Sequence, residues 1–290
     1  MTAAGFIQIL VPITLIEMMV AIGLSVSFTE LTAVARNCRL VTKAALANYL
    51  CVPVVTVGLL LLFQPTDIMV PAGFIILAVC PGAPFGPGCT RIAKGNVATA
   101  VGVMVLLAGS SALAAPLLLR LLLPLLSGSK TLQVDAAKVV VTLLVTQLAP
   151  LCLGLGIRHW LPGVANKMQA PANLLSAILN LATFGVVLVV YFPLLSAIRL
   201  RGYAGMLVLL VASWAAGWLL GGPGSDNRKA LALATSLRNV GVGLVIATGN
   251  FGGTAAVTVV LAYGIFEIVG SLLLALAWGR VRLTPGAYAN

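Results

Sequence analysis

The chain has 290 residues, of which 61% are hydrophobic and only 8% are charged, against about 25% charged in a water-soluble domain. That composition excludes a soluble globule, and the lack of long polar–apolar alternation excludes an outer-membrane barrel. The net charge of +11 is scattered through short loops, so it reads as a topology signal rather than a nucleic-acid footprint.

Nine apolar segments approach the roughly 20 residues that an α-helix needs to cross a bilayer. They are predicted at 6–28, 44–63, 68–93, 97–126, 136–158, 171–197, 203–221, 230–249 and 254–279. The first follows no basic start, so no cleavable leader is expected. Short connections carry turn residues, as in Gln64-Pro-Thr-Asp67, Ser127-Gly-Ser-Lys130 and Gly221-Gly-Pro-Gly-Ser-Asp226. With the N-terminus outside, eleven of the seventeen Lys and Arg residues fall on inner loops (Arg36, Arg39, Lys43, Arg91, Lys94, Arg158, Lys167, Arg228, Lys229, Arg280, Arg282) and five on the outer side. The excess of positive charge inside predicts N-out and C-in. Trp160, Trp214, Trp218 and Trp278 lie near helix ends, as an aromatic belt allows. The five cysteines have neither metal-ligand nor disulfide-framework spacing.

The third segment cannot be one straight helix. Pro81, Pro84 and Pro87 remove backbone donors, and Gly82, Gly86 and Gly88 favour non-helical angles. The eighth contains Thr235-Ser-Leu-Arg-Asn-Val-Gly241, which puts a guanidinium in the middle of a span. Such a residue costs about 2.5–3.5 kcal/mol on insertion scales and marks a functional site by default. Interrupted spans at matching places in two halves point to an inverted repeat, about 6–126 and 136–279, within a single transmembrane domain.

These residues carry a resemblance. Cys80-Pro-Gly82 followed by Ala93-Lys-Gly-Asn96, and Ser236-Leu-Arg-Asn-Val-Gly-Val-Gly243, are similar to the two crossing-helix motifs of the bile acid:sodium symporter family. Gly23-Leu-Ser25, Asn48 with Pro53, and Gly270-Ser-Leu-Leu273 match other helices of that family. The resemblance implies an all-α integral membrane protein of the nine-helix kind, an inverted repeat with two broken helices crossing in a core domain beside a panel domain.

The resemblance also exposes departures. The positions that correspond to the first sodium site hold Gly86, Pro87, Ala100 and Met104. The family's glutamate falls on Ala234 and its glutamine on Arg238. Sodium needs several hard oxygen ligands, by the logic of other hard cations, and an arginine repels it. Both conventional sodium sites are therefore expected to be absent, with no metal and no cofactor in their place. Arg238 is expected to act as a tethered cation that holds two half-helices by their carbonyls and attracts an anion bidentately. Asn239 takes a substrate-contact role from the family, Asn48 keeps an amide where the family has one, and Gly82 and Ala83 fall where family backbone amides face the ligand. Glu267 or Glu17 is a candidate partner for Arg238, or a carrier of a coupling proton. The expected binding set is Arg238, Asn239, Asn48, Gly82, Ala83 and Glu267. Thr142, Thr146, Gln147, Asn180 and Thr183 read as helix-packing groups, with Gln147 the first candidate for cavity lining. His159 reads as interfacial.

The function expected is secondary active transport of small organic anions by alternating access, sodium-independent, in a bacterial inner membrane. The alternative is a channel-like or non-transporting sensor on the same fold. One histidine at a helix end assembles neither a zinc site nor a nucleophile triad, so no enzyme is expected, and the partners are an organic anion and lipid rather than nucleic acid.

Overall fold

A computed structural model describes residues 3–126, 132, 134–196 and 198–280. Lys130, Arg282 and the turn predicted at 127–130 lie outside them. The described chain is all α-helical, as a bilayer demands: every main-chain N–H and C=O must find its partner within the segment. In order, the helices are α1 (Ala3–Ser25), α2 (Phe28–Arg36), α3 (Cys38–Leu46), α4 (Val52–Phe63), α5 (Met69–Ala78), α6 (Gly86–Ile92), α7 (Val97–Leu126), α8 (Ala136–Leu143), α9 (Ala149–Trp160), α10 (Pro162–Ser196), α11 (Leu200–Leu220), α12 (Ser225–Ser236), α13 (Val240–Phe251) and α14 (Ala255–Arg280).

Among the described residues eight spans are long and apolar enough to cross a membrane, some of them built from two consecutive helices. The predicted third span is realised differently, as the short apolar α5 and the seven-residue α6 on either side of a non-helical stretch. Two other expectations shift. α10 begins at Pro162 rather than near 171 and carries Pro171 inside it; a proline at a helix start costs nothing because its missing N–H would have no partner there. The stretch after the first span forms α2, a short helix outside the spans, opened by a capping box in which Ser27 and Glu30 satisfy each other's backbone donors.

Two spans contain a single π-helical turn. Ala47–Cys51 joins α3 to α4, and Leu144–Leu148 joins α8 to α9. Each lies just before a proline, Pro53 and Pro150. A proline cannot donate to the carbonyl one turn back, and the wider turn lets the preceding N–H reach further, from Val52 to the Ala47 carbonyl and from Ala149 to that of Leu144.

α1 packs on α9 and α10, and these three make one layer. The contact between α1 and α9 is backbone to backbone, because a Cβ on Gly23 would lie 2.5 Å from the Leu151 carbonyl and one on Gly154 would strike that of Val20. α11 packs on α12 and α4, while α5 is held by α14, α13, α4 and α7. The segment Ser225–Phe251 is the most enclosed of the described spans, with 94% of its most apolar stretch buried against 22% for α10. The residues of the second break therefore sit at the centre of the bundle. Trp214, expected at an aromatic belt, instead donates its indole N–H to Ser271 at 3.3 Å.

Candidate functional site: the meeting of two broken spans

The first break runs from Val79 to Phe85. Gly82 adopts φ +87° there, in the left-handed region, and a Cβ on it would lie 2.6 Å from the Ala108 amide nitrogen. Only glycine fits both conditions. The second break is shorter. Leu237 is extended (φ −87°, ψ 121°), and Asn239 caps α13 by accepting the Val242 N–H at 3.2 Å. The breaks touch: the Asn239 N–H donates to the Cys80 carbonyl at 2.8 Å, and its side-chain amide reaches the Gly82 carbonyl at 3.5 Å.

Arg238 lies between them with 2% of its surface exposed. Its guanidinium donates to the Ala78 carbonyl at 3.5 Å and to the Thr235 carbonyl. These belong to the last turns of α5 and α12, whose carbonyls a helix leaves without partners and where the helix dipole places negative partial charge. A fixed cation thus joins the C-terminal ends of two half-helices. Glu267, on α14 and fully buried, accepts the main-chain N–H of Arg238 at 2.6 Å through Oε1. Among the described residues its Oε2 has no partner.

The network continues on both sides. Asn48, in the first π turn, donates to the Ala44 carbonyl at 2.9 Å and to Thr235 Oγ1 at 3.3 Å, and its Oδ1 has no partner among the described residues. Ser236 and Ser271 share a hydrogen bond of 2.9 Å. Toward the other end of the span, Lys229 is buried and its ammonium donates to the Ala93 carbonyl at 3.0 Å, at the C-terminus of α6.

A cavity of about 790 Å³ lies beside the crossing, between the layer of α1 and α10 and the broken span. Pro84 and Phe85 of the first break, Met18 and Ile22 of α1 and Ile265 and Ile268 of α14 supply apolar wall; Asn173, Ser176 and Asn180 of α10 supply the polar strip.

The sequence comparisons bear on this arrangement. The model of the Sodium Bile acid symporter family matches residues 12–198. The chain belongs to this family. It is similar to the uncharacterized sodium-dependent transporter YocS of Bacillus subtilis (strain 168), 25% identical over 272 residues, covering 90% of this chain and 80% of the relative. It is also similar to the probable sodium/metabolite cotransporter BASS2, chloroplastic, of Oryza sativa subsp. japonica, 24% identical over 237 residues, covering 81% of this chain and 55% of that one. The protein is a membrane transporter, not an enzyme.

Within this family member, the structure gathers Arg238, Asn239, Asn48, Gly82 and Glu267 into one buried network, with Ala83 next to Gly82 and packed among Leu233 and Leu237. All six are enclosed, and the residues that open onto the cavity are their neighbours. Glu17 does not meet Arg238; it accepts a hydrogen bond from Ser176. Gln147 is fully buried and donates to the Ala108 carbonyl and to Ser111, a packing role. Asn180 lines the cavity as well as bonding the Ser176 carbonyl at 2.8 Å. His159 is exposed and meets the Phe28 ring edge-on at 5.0 Å. The reading from sequence missed Phe85, Met18, Asn173 and Ser176. One signal was available: Asn173, Ser176, Asn180 and Thr183 fall at helical spacing, so they form a polar stripe along a span that is otherwise apolar.

Proposed function

We propose that this transporter carries small organic anions by alternating access and does so without sodium. The observation that carries the reading is the Arg238 guanidinium seated on the carbonyl ends of α5 and α12. A cation brought to about 4 Å from that guanidinium meets a repulsion of about 4 kcal/mol at an effective dielectric near 20. Gly86, Pro87, Ala100, Met104 and Ala234, where the resemblance places sodium ligands, offer no side-chain oxygen. The tethered charge takes the ion's place, and Glu267 balances it. Both relatives have sodium in their names; this chain departs at the side chains that would hold the ion.

The substrate enters the cavity of about 790 Å³, whose volume falls within the range of small-molecule sites, about 300–1,000 Å³. Arg238, Asn239, Asn48, Gly82, Ala83 and Glu267 form the binding set, reached as the layer of α1, α9 and α10 moves against the crossing. The two repeats are 6–126 and 136–279, with α1, α9 and α10 in the panel domain and the broken spans in the core. The chain sits in a bacterial inner membrane with its N-terminus outside.

The test is a thermal-shift screen of purified protein against small carboxylates in sodium and in choline buffers, followed by uptake and counterflow in liposomes. A carboxylate that stabilises equally in both buffers, and whose uptake saturates without sodium, is the expected result. Stabilisation that appears only with sodium overturns the reading.

A further inference from the structure

A second cavity, of about 250 Å³, lies where α4 ends and α5 and α11 begin. Three helix ends meet there, which puts its mouth at the level where spans leave the hydrocarbon. Its walls are apolar, formed by Leu60, Phe63, Phe74 and Leu209, and Arg199 and Arg201 stand at its rim. Both arginines are exposed, and among the described residues neither guanidinium has a hydrogen-bond or ion-pair partner.

No acid of the chain answers them. There are six acidic residues, and each is engaged elsewhere: Glu17 with Ser176, Glu30 with Ser27, Asp67 with the Met69 N–H at 2.9 Å, Asp135 with the Lys138 N–H, Asp226 with Ser225 and Glu267 with Arg238. Asp67 is the near one, and its carboxylate holds the start of α5 instead. Deeper in, Thr56 spends its hydroxyl hydrogen on the Val52 carbonyl at 2.8 Å and offers the cavity no donor. The slot thus combines a largely apolar interior with two free, planar cations at headgroup level. Arginine forks match phosphate bidentately, and the interior suits hydrocarbon.

We propose that this cavity is a binding site for one anionic phospholipid, its phosphate held by Arg199 and Arg201 and one acyl chain inserted between α4, α5 and α11. The bound lipid wedges α11 against the start of α5, the half-helix whose far end carries the Ala78 carbonyl contacted by Arg238. This inference does not depend on which substrate is carried or on its coupling ion.

The experiment is native mass spectrometry of the delipidated full-length chain with phosphatidylglycerol, with phosphatidylcholine of the same acyl chains, with a fatty acid, and with inorganic phosphate. The expected result is one tight site for phosphatidylglycerol and none of comparable strength for the other three. Each basic side chain near a membrane surface contributes about 1 kcal/mol toward an anionic lipid, or about five-fold, so Arg199→Gln with Arg201→Gln should weaken binding by roughly 25-fold, while Arg199→Lys with Arg201→Lys retains part of it. Gly205→Leu fills the slot and keeps both charges; a Cβ there meets the Phe63 ring at an ordinary 3.8 Å, and the preference for phosphatidylglycerol over phosphate should vanish. Equal binding of phosphatidylcholine overturns the proposal. So does a fatty acid or phosphate binding as tightly as the phospholipid, or an equal loss from Arg120→Gln with Lys138→Gln, which would reveal diffuse charge attraction.

Discussion

Replacing Arg238 by Gln removes two donors from the ends of α5 and α12 and takes away the positive charge that couples electrostatically to Glu267, whose carboxyl is bonded to the Arg238 main chain. Two hydrogen bonds from a charged group are worth about 1.5–3 kcal/mol each, and breaking a buried pair by removing one member costs about 3–5 kcal/mol. Glu267→Gln has a similar effect from the other side, since the Gln carbonyl can still accept the Arg238 N–H while the guanidinium loses its counter-charge. Each single variant should therefore lose about 3–5 kcal/mol. The double variant restores neutrality and retains the main-chain hydrogen bond, so its loss should fall at least about 2 kcal/mol short of the sum of the singles, within the range of measured couplings. At about 2–4 °C per kcal/mol, each single lowers the thermal midpoint by roughly 6–20 °C, and the double by at least about 4–8 °C less than the two singles together. Intrinsic tryptophan fluorescence during heating in detergent reads this out directly, in protein purified without added substrate. Additive losses would refute the idea that these two residues balance one another, and an unchanged midpoint for Glu267→Gln would remove Glu267 from the charge account altogether.

Gly82→Ala should cost about 1–2 kcal/mol for the left-handed conformation and about 1–3 kcal/mol more for crowding the Ala108 backbone, whereas Gly88→Ala, with open space around its Cβ in α6, should stabilise by about 0.5–1 kcal/mol; the pair of midpoints checks the local geometry of the break. Gly154→Val should separate α1 from α9 and cost about 1–3 kcal/mol, seen as a lower midpoint and lower yield, while substitution at Gly249, which faces open space, should do neither. Hydrogen bonds from the Ser27 backbone and hydroxyl hold the Glu30 carboxyl below the ordinary carboxylate range. Because the folded value is the lower one, this stabilisation is present above the ordinary range and is lost as pH falls through the depressed value. Ser27→Ala should remove about 1 kcal/mol of cap stability and move the Glu30 carboxyl titration, followed by NMR, back up.

The density of proline and glycine between Cys80 and Gly88 made the first break legible, because each residue either removes a donor or relaxes the backbone. The second break has no proline at its turn, and Arg238-Asn239 in an apolar run, followed by Gly241 and Gly243, betrayed it. Five of the six expected binding residues do meet in one network, since motif order fixed which helices had to cross. What the sequence did not disclose was depth: Asn239 and Glu267 are sealed from the neighbouring cavity, and burial of that kind depends on how the layers pack rather than on local composition. The polar stripe of α10 was visible as spacing but reads as packing when taken residue by residue. The start of α10 was obscured by Pro171, which the helix accommodates internally, and α2 was announced by Ser27 and Glu30 in a stretch read as a loop.

The π turns at Ala47–Cys51 and Leu144–Leu148 hold one residue more than the same length of α-helix would. Any family member that lacks either turn has a side chain fewer between the same two neighbours, so an ungapped alignment falls out of step there. Beyond the slip, each residue is compared with one pointing about 100° away on the partner helix. Correspondences drawn across Asn48 or Gln147 to a member without the turn therefore need a one-residue gap placed at the turn itself, and a site inferred from such an alignment without it will be assigned to the wrong side of the helix.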